Sequence, residues 1–163
     1  MAGVEMRFTL SDAELERQLA ALVERGGNLR RPMENIGMDM VATTTNAFER
    51  SQSPEGIPWP PSIAADEGRQ TLVKSGDLRG SFSYVADEAA VIYGTNKLYA
   101  AIHQFGGTIV PKAAKALRFR IGKRWLQAQK VTIPARPFIG ASDRDVKRWE
   151  EILVKHLEGE GSA

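Results

Sequence analysis

The 163-residue sequence contains no cysteine, only two histidines and no long hydrophobic run. The lack of cysteine excludes disulfides, thiolate zinc sites and cysteine nucleophiles, so packing must hold the fold together. No apolar stretch approaches the roughly 20 residues that a membrane helix needs, so we expect no membrane contact. The N-terminal residues lack the apolar core of a signal peptide, which predicts a cytoplasmic protein.

Motifs for catalysis, metal binding and phosphate binding are also missing. The sequence has no H-E-x-x-H or EF-hand pattern, no G-x-S-x-G elbow and no Walker or G-x-G-x-x-G loop. It therefore predicts no catalytic residue, no metal and no cofactor. A hydrolase that uses His103 remains as a remote alternative, whereas His156 is expected to face solvent near the end of a helix.

The charge is nearly balanced overall but is unevenly distributed. The chain has 22 basic and 20 acidic residues, a net charge of +2, which is too balanced to predict non-specific nucleic-acid binding. Residues 112 to 136, however, hold eight basic residues and no acidic one. This stretch is either a solvated strand face or a surface that contacts nucleic acid or an acidic partner.

Helical patterns occur at both ends of the chain. Ser11 and Glu14 form a capping box at the start of a first helix, which ends at Gly26-Gly27. A second helix is predicted to begin near Pro32, with apolar residues at helical spacing as far as Phe48. A last helix is predicted to begin at Ser142, with Asp145 in the capping-box position and an apolar face that runs from Val146 to Leu157.

Between these helices the pattern becomes irregular and then alternates as in strands. The segment "SQSPEGIPWPPS" contains four prolines and predicts a stiff loop, on which Trp59 is either a plug over the core or an anchor for a partner. From Ser81 the sequence predicts a hairpin around Asp87-Glu88. A second hairpin is predicted from "ALRFRIG" to "WLQAQKVTIPA", with one apolar and one basic strand face.

This order of elements predicts an α+β fold. We expect two N-terminal helices and a C-terminal helix packed on a small, mainly antiparallel β-sheet with a Pro-rich loop, in a single domain of residues 1–158 followed by a disordered tail, 159–163. In the segment "LYAAIHQFGG" we expect Tyr99, Ile102 and Phe105 to face the core. His103 and Gln104 would then make hydrogen bonds that fix the Gly106-Gly107 turn, or contact another subunit.

Four short motifs in order resemble the phage virion morphogenesis family, also called the tail completion family, of Mu-like and P2-like phages. The resemblance runs from about residue 8 to residue 158. The matching residues are Gly56 and Trp59; Gly76, Leu78 and Ser81; Gly94, Thr95, Tyr99, Ala100, His103, Gln104, Gly106 and Gly107; and Pro134, Arg136, Pro137 and Phe138.

The resemblance implies a structural protein of the head-tail junction in the virion, assembled in the host cytoplasm, and not an enzyme. It implies a homo-oligomeric ring, a hexamer as first expectation and a dodecamer as second, that contacts connector and tail-tube proteins and non-specifically the DNA in the lumen. Candidate interface residues are Trp59, His103, Gln104, Arg136 and Phe138. Candidates for lining the lumen or meeting an acidic partner are Arg118, Arg120, Lys123 and Arg124. A small basic module that binds nucleic acid or regulates assembly is the alternative.

Overall fold

The computed structural model describes residues 4–8, 17, 20, 28–62, 68, 70–121 and 124–158. The described helices are α1 (Arg30–Arg50), α2 (Ala100–Phe105) and α3 (Asp143–Glu158), with a 3-10 turn at Arg79–Ser81. The strands are β1 (Val4–Phe8), β2 (Phe82–Ala86), β3 (Val91–Thr95), β4 (Gly107–Ile109), β5 (Leu117–Ile121), β6 (Arg124–Ala128) and β7 (Val131–Ile133). All described strand pairings are antiparallel, so the predicted α+β class is confirmed.

A three-stranded sheet in the order β1-β3-β2 forms the base of the core. The β2-β3 hairpin turns where it was predicted, because the Asp87 carboxylate accepts hydrogen bonds from the backbone N–H groups of Ala89 and Ala90, both at 2.8 Å. Inward-facing Phe82 and Tyr93 lie on one face of this hairpin and are buried. Strand β1 was missed in the sequence analysis, although its residues VEMRF alternate apolar and charged side chains.

Helix α1 lies across the sheet and is the second of the two predicted N-terminal helices. Its apolar face buries Met33, Ile36, Met40 and Phe48, and its end is set by Ser51 in the left-handed conformation at φ 51°. The first predicted helix, from Ser11 to Gly26, lies outside the described residues except for Arg17 and Ala20, both helical and exposed. The predicted tail 159–163 also lies outside them.

Gly37 allows α1 to approach the sheet closely. A Cβ atom at this position would overlap the ring of Tyr84 on β2. We expect Gly37→Ala to lower the free energy of unfolding by about 1–3 kcal/mol, because overpacking outweighs the better helix propensity of alanine. Urea denaturation measures the change. Gly80→Ala is the matched control, since a Cβ there meets open space; equal losses in the two variants would contradict the packing argument.

Helix α3 begins with the predicted capping box and is fixed to α1 by a polar network. The Asp145 carboxylate accepts from the Ser142 backbone N–H at 2.8 Å and from its hydroxyl at 2.6 Å. Arg148 binds Asp39 on α1 through two hydrogen bonds of 2.9 and 2.6 Å and also binds Asp145. Burial opposes ionisation of Asp145, but the hydrogen bonds from Ser142 and Arg148 outweigh it and lower its pKa.

A β-ribbon, residues 107–133, extends from this core and is called the arm below. Strands β4 and β7 pair at its base, from Gly107 opposite Ile133 to Ile109 opposite Val131. Strands β5 and β6 pair at its tip and form the second predicted hairpin, which is confirmed. No described residue of the arm belongs to the core cluster or packs against it.

Candidate functional site

The Pro-rich loop, residues 52–61, and the PARPF turn, residues 134–138, hold each other in place. Pro58, Pro60 and Pro61 have no backbone N–H, so the loop has few donors for its own carbonyl groups. Arg136 supplies them from the PARPF turn: its Nε donates to the Pro60 carbonyl oxygen at 2.7 Å and its Nη2 donates to the Pro61 carbonyl oxygen at 2.8 Å. Burial lowers the pKa of this guanidinium.

Trp59 makes the reciprocal contact from the loop to the turn. Its indole Nε1 donates to the Pro137 carbonyl oxygen at 2.7 Å, which satisfies its polar end. The ring packs edge-on against Phe48 of α1 at a centroid distance of 5.4 Å. Phe138 also packs against Phe48, at a centroid distance of 5.3 Å, and is completely buried. Of the two alternatives for Trp59, the structure therefore shows the core plug.

Gln104 on α2 holds the end of the PARPF turn through three hydrogen bonds. Its Oε1 accepts from the backbone N–H groups of Phe138 at 2.9 Å and Ile139 at 3.0 Å. Its Nε2 donates to the Ile139 carbonyl oxygen at 2.9 Å. One buried amide thus satisfies three backbone groups that no strand or helix pairs. The prediction that Gln104 makes hydrogen bonds is confirmed, but its partners lie in the PARPF turn and not in the Gly106-Gly107 turn.

The same contact explains which face of α2 is buried. Ala100 and Gln104, one helical turn apart, face inward, whereas Tyr99 and Phe105 are 45% and 65% exposed. The prediction that Tyr99 and Phe105 face the core was therefore wrong. Gly106 follows with φ 71°, and a Cβ there would lie 2.7 Å from the Ala135 backbone nitrogen, so this position requires glycine.

His103 on α2 lies half-buried beside the PARPF turn. Its backbone carbonyl accepts from the Arg136 N–H at 2.7 Å, and its ring packs edge-on against Tyr99. Burial lowers the pKa of His103, and the charge of Arg136 lowers it further. A pocket of about 310 Å³ beside it is also lined by Ser62. Nδ1 of His103 and the Ser62 hydroxyl have no hydrogen-bond partner among the described residues, so they form no Ser-His dyad with each other.

The lowered pKa of His103 makes stability depend on pH. Well above pH 6.5, the ordinary histidine pKa, His103 is neutral in both the folded and the unfolded chain. As the pH falls below 6.5, the unfolded chain binds a proton first, so stability should fall until the folded pKa is passed. We expect His103→Gln to reduce this loss, as measured by urea denaturation between pH 7 and pH 5. A midpoint of the His103 ring titration at or above 6.5, followed by NMR, would contradict the expectation.

The predicted interface residues are thus mostly inside the subunit. Trp59, Gln104, Arg136 and Phe138 are brought together, but each is at most 5% exposed. Trp59 and Arg136 are buried where they donate to proline carbonyl oxygens. Gln104 is buried where it bonds the backbone of Phe138 and Ile139, and Phe138 packs on Phe48. Of the five, His103 alone is half-buried. These residues connect the Pro-rich loop, α2 and the PARPF turn within one subunit, and this set of contacts is called the joint.

The predicted basic residues lie on the arm but not on one face. Arg118 and Arg120 pair with Gln127 and Trp125 across β5 and β6, so these four side chains share a face. Arg124 pairs with Ile121 and lies on the opposite, apolar face. Lys123 lies outside the described residues.

The basic face also carries an aromatic residue that was not among the predicted site residues. Trp125 is 61% exposed, and the guanidinium carbon of Arg118 lies 4.8 Å from the centre of its ring. The alternating sequence LRFRI predicts a strand with Arg118 and Arg120 on one face. Once the register of its partner strand is known, Trp125 can be placed beside these arginines. In the described part of the chain, no cluster of three or more His, Asp or Glu could hold a metal ion, and no helix is long and apolar enough to cross a membrane.

Comparison with known proteins gives the following matches. The model of the phage virion morphogenesis family matches residues 10–158. The Mu-like prophage FluMu G protein 2 of Haemophilus influenzae (strain ATCC 51907 / DSM 11121 / KW20 / Rd) is 40% identical over 91 residues, which are 52% of this chain and 54% of that protein. The match thus spans about half the length of the relative. No solved structure matches the chain.

Proposed function

Because this chain belongs to the phage virion morphogenesis family, we propose that it is a structural protein of the head-tail junction that assembles into a ring. Membership of the family gives the coarser role, which is morphogenesis of a phage virion. The proposed finer role is to complete the tail or join it to the filled head. The protein would act there by binding its neighbours and not as an enzyme, and would reside in the virion after assembly in the host cytoplasm.

The arm is the observation that carries this proposal. Among the described residues of the body, one hydrophobic core joins α1, α3, strands β2 and β3 and the joint. The arm nevertheless exposes large apolar side chains to solvent, among them Val110, Trp125 and Leu126. Exposed apolar side chains grouped on one element are candidates for an interaction site. A subunit whose arm lies outside its core and exposes apolar side chains is suited to assembly.

A subunit with two different binding surfaces favours assembly into a ring. When one surface of a subunit binds a different surface of its neighbour, the contact repeats until rotation closes the circle. We propose a hexamer first, because tail tubes are sixfold, and a dodecamer second, because portals are twelvefold. The proposed partners are the adjoining connector and tail-tube proteins, with non-specific contact between the ring and DNA in its lumen.

Electron microscopy of the purified protein tests the proposal. We expect closed rings, alone or after mixing with the connector or tail-tube protein, and a density at the neck of virions that fits one ring. Mass photometry of the same samples gives the number of subunits. A protein that stays monomeric at high concentration and ignores both partner proteins would overturn the ring.

A nucleic-acid-binding module is the second candidate, and the exposed Arg118 and Arg120 favour it. Phosphate contacts would make binding to duplex DNA fall steeply with salt, and replacing both arginines by alanine would reduce both the affinity and the salt slope. Filter binding or fluorescence anisotropy at several salt concentrations measures this. The remote hydrolase alternative predicts instead that His103→Ala keeps fold and assembly while removing an activity.

A further inference from the structure

The chain divides into an arm and a body of opposite charge. The arm, residues 107–133, contains seven lysines and arginines, and no acidic residue occurs anywhere between Glu88 and Asp143. The remainder of the chain contains 22 − 7 = 15 basic and 20 acidic residues, a net charge of −5. The small net charge of the whole chain is therefore the sum of a positively charged arm and a negatively charged body.

The arm is apolar as well as positive. At its tip, the face with Arg118 and Arg120 also presents Trp125, whose ring is held under the Arg118 guanidinium. The opposite face presents Leu126, which is 40% exposed, beside half-buried Phe119. Near the base, Val110 is exposed next to Ile109. A two-stranded ribbon is only marginally stable alone, so covering these side chains would stabilise the arm itself.

The body offers surfaces of the matching kind. Val85 on edge strand β2 is 72% exposed and lies two residues before Asp87 and three before Glu88, both exposed. Ile57 is also exposed and lies near Glu55 on the Pro-rich loop. These pairs of apolar and acidic residues complement the apolar and basic arm. A phosphate backbone would match the arginines but would leave Val110, Ile109 and Leu126 uncovered.

We propose that the arm of one subunit binds the negatively charged body of a second copy of this chain. The inference rests on the proposed ring and deepens it, because it assigns the two unlike surfaces. The positive surface is the arm, with Trp125 and Leu126 as its apolar contacts and Arg118 and Arg120 as its charges. The receiving surface is apolar and acidic and belongs to residues outside 107–133. Repetition of this contact from subunit to subunit closes a ring.

Photo-crosslinking of the full chain tests which surfaces meet. Protein with p-benzoyl-phenylalanine in place of Trp125 or Leu126 is mixed with ¹⁵N-labelled protein, irradiated and mapped by mass spectrometry. We expect cross-links that join the arm of one isotopic form to the body of the other. Cross-links only within one chain, or only between two arms, would overturn the proposal. So would the loss of the arm-to-body cross-links in favour of DNA when a duplex is added.

A pair of matched charge variants tests the electrostatic part. Arg118→Glu combined with Arg120→Glu changes the net charge as much as Arg30→Glu combined with Arg31→Glu, which alters exposed positions on the body. We expect the arm variant to weaken self-association at least about tenfold in sedimentation experiments. The body variant should change it less than about twofold, and added salt should weaken wild-type association. Equal effects of the two variants would overturn the assignment of the arm.

The proposed ring and the proposed contact between arm and body can be refuted independently of each other. Wild-type rings in the electron microscope without arm-to-body cross-links would leave the ring function and overturn the arm contact. Arm-to-body cross-links in open chains or dimers, with no ring under any condition, would support the arm contact and overturn the ring.

Discussion

Replacing Gln104 by leucine should lower the free energy of unfolding by about 3–6 kcal/mol, because three buried backbone groups lose their partner at once. The N–H groups of Phe138 and Ile139 and the Ile139 carbonyl would each be left without a hydrogen bond. An unsatisfied buried group of this kind costs about 1–3 kcal/mol, and the apolar gain from leucine offsets only part of the sum. Urea denaturation of the dilute protein measures the loss.

Two further variants separate this explanation from a general effect of substitution. Gln127→Leu makes the same change at an exposed position of the arm and should alter stability by less than about 0.5 kcal/mol. Gln104→Glu keeps an acceptor for both N–H groups but has no donor for the Ile139 carbonyl unless it is protonated. Its stability should therefore be intermediate and should rise as the pH falls toward the range in which carboxylates bind protons. A Gln104→Leu loss below about 1 kcal/mol would refute the role of the amide.

Strong local signals made much of the fold predictable from the sequence. The capping box at Ser142, the turn at Asp87-Glu88 and the alternation of LRFRI each depend on neighbouring residues, and each appears where it was expected. Strand β4 carried too little signal, because three residues cannot display an alternating pattern. Strand β1 does show an alternating pattern, but it is stabilised by pairing with β3, which lies far along the chain.

The site was harder to predict because its contacts join distant segments. The motif residues Trp59, Gln104 and Arg136 were singled out as a group, and their side chains hydrogen-bond to backbone groups of the Pro-rich loop or of residues 137–139, across 34 to 78 residues of sequence. Local patterns indicate that such residues matter without showing whether their partner is inside or outside the subunit. The exposed Trp125 was overlooked for the opposite reason, since only the register of β5 and β6 places it beside Arg118.

Replacing Arg136 by methionine should also destabilise the protein strongly and lower the free energy of unfolding by about 3–5 kcal/mol. Methionine fills much of the volume of the stem but cannot donate to the carbonyl oxygens of Pro60 and Pro61. Hydrogen bonds to a charged group contribute about 1.5–3 kcal/mol each, and Pro58, Pro60 and Pro61 have no backbone N–H that could replace the guanidinium donors. The loss is measured by urea denaturation of the dilute protein.

Arg124→Met is the matched control, since Arg124 is exposed on the arm, and should change the stability of the subunit by less than about 0.5 kcal/mol. The same pair separates folding from assembly. If Arg136 acts inside the subunit, Arg136→Met should lower stability even at concentrations at which the wild type is monomeric, and the loss should not depend on protein concentration. If Arg136 were instead an anchor for a neighbouring subunit, its replacement would leave the monomer as stable as the wild type and would weaken only self-association. That result would show that Arg136 acts at the interface between subunits and would contradict its role in the joint.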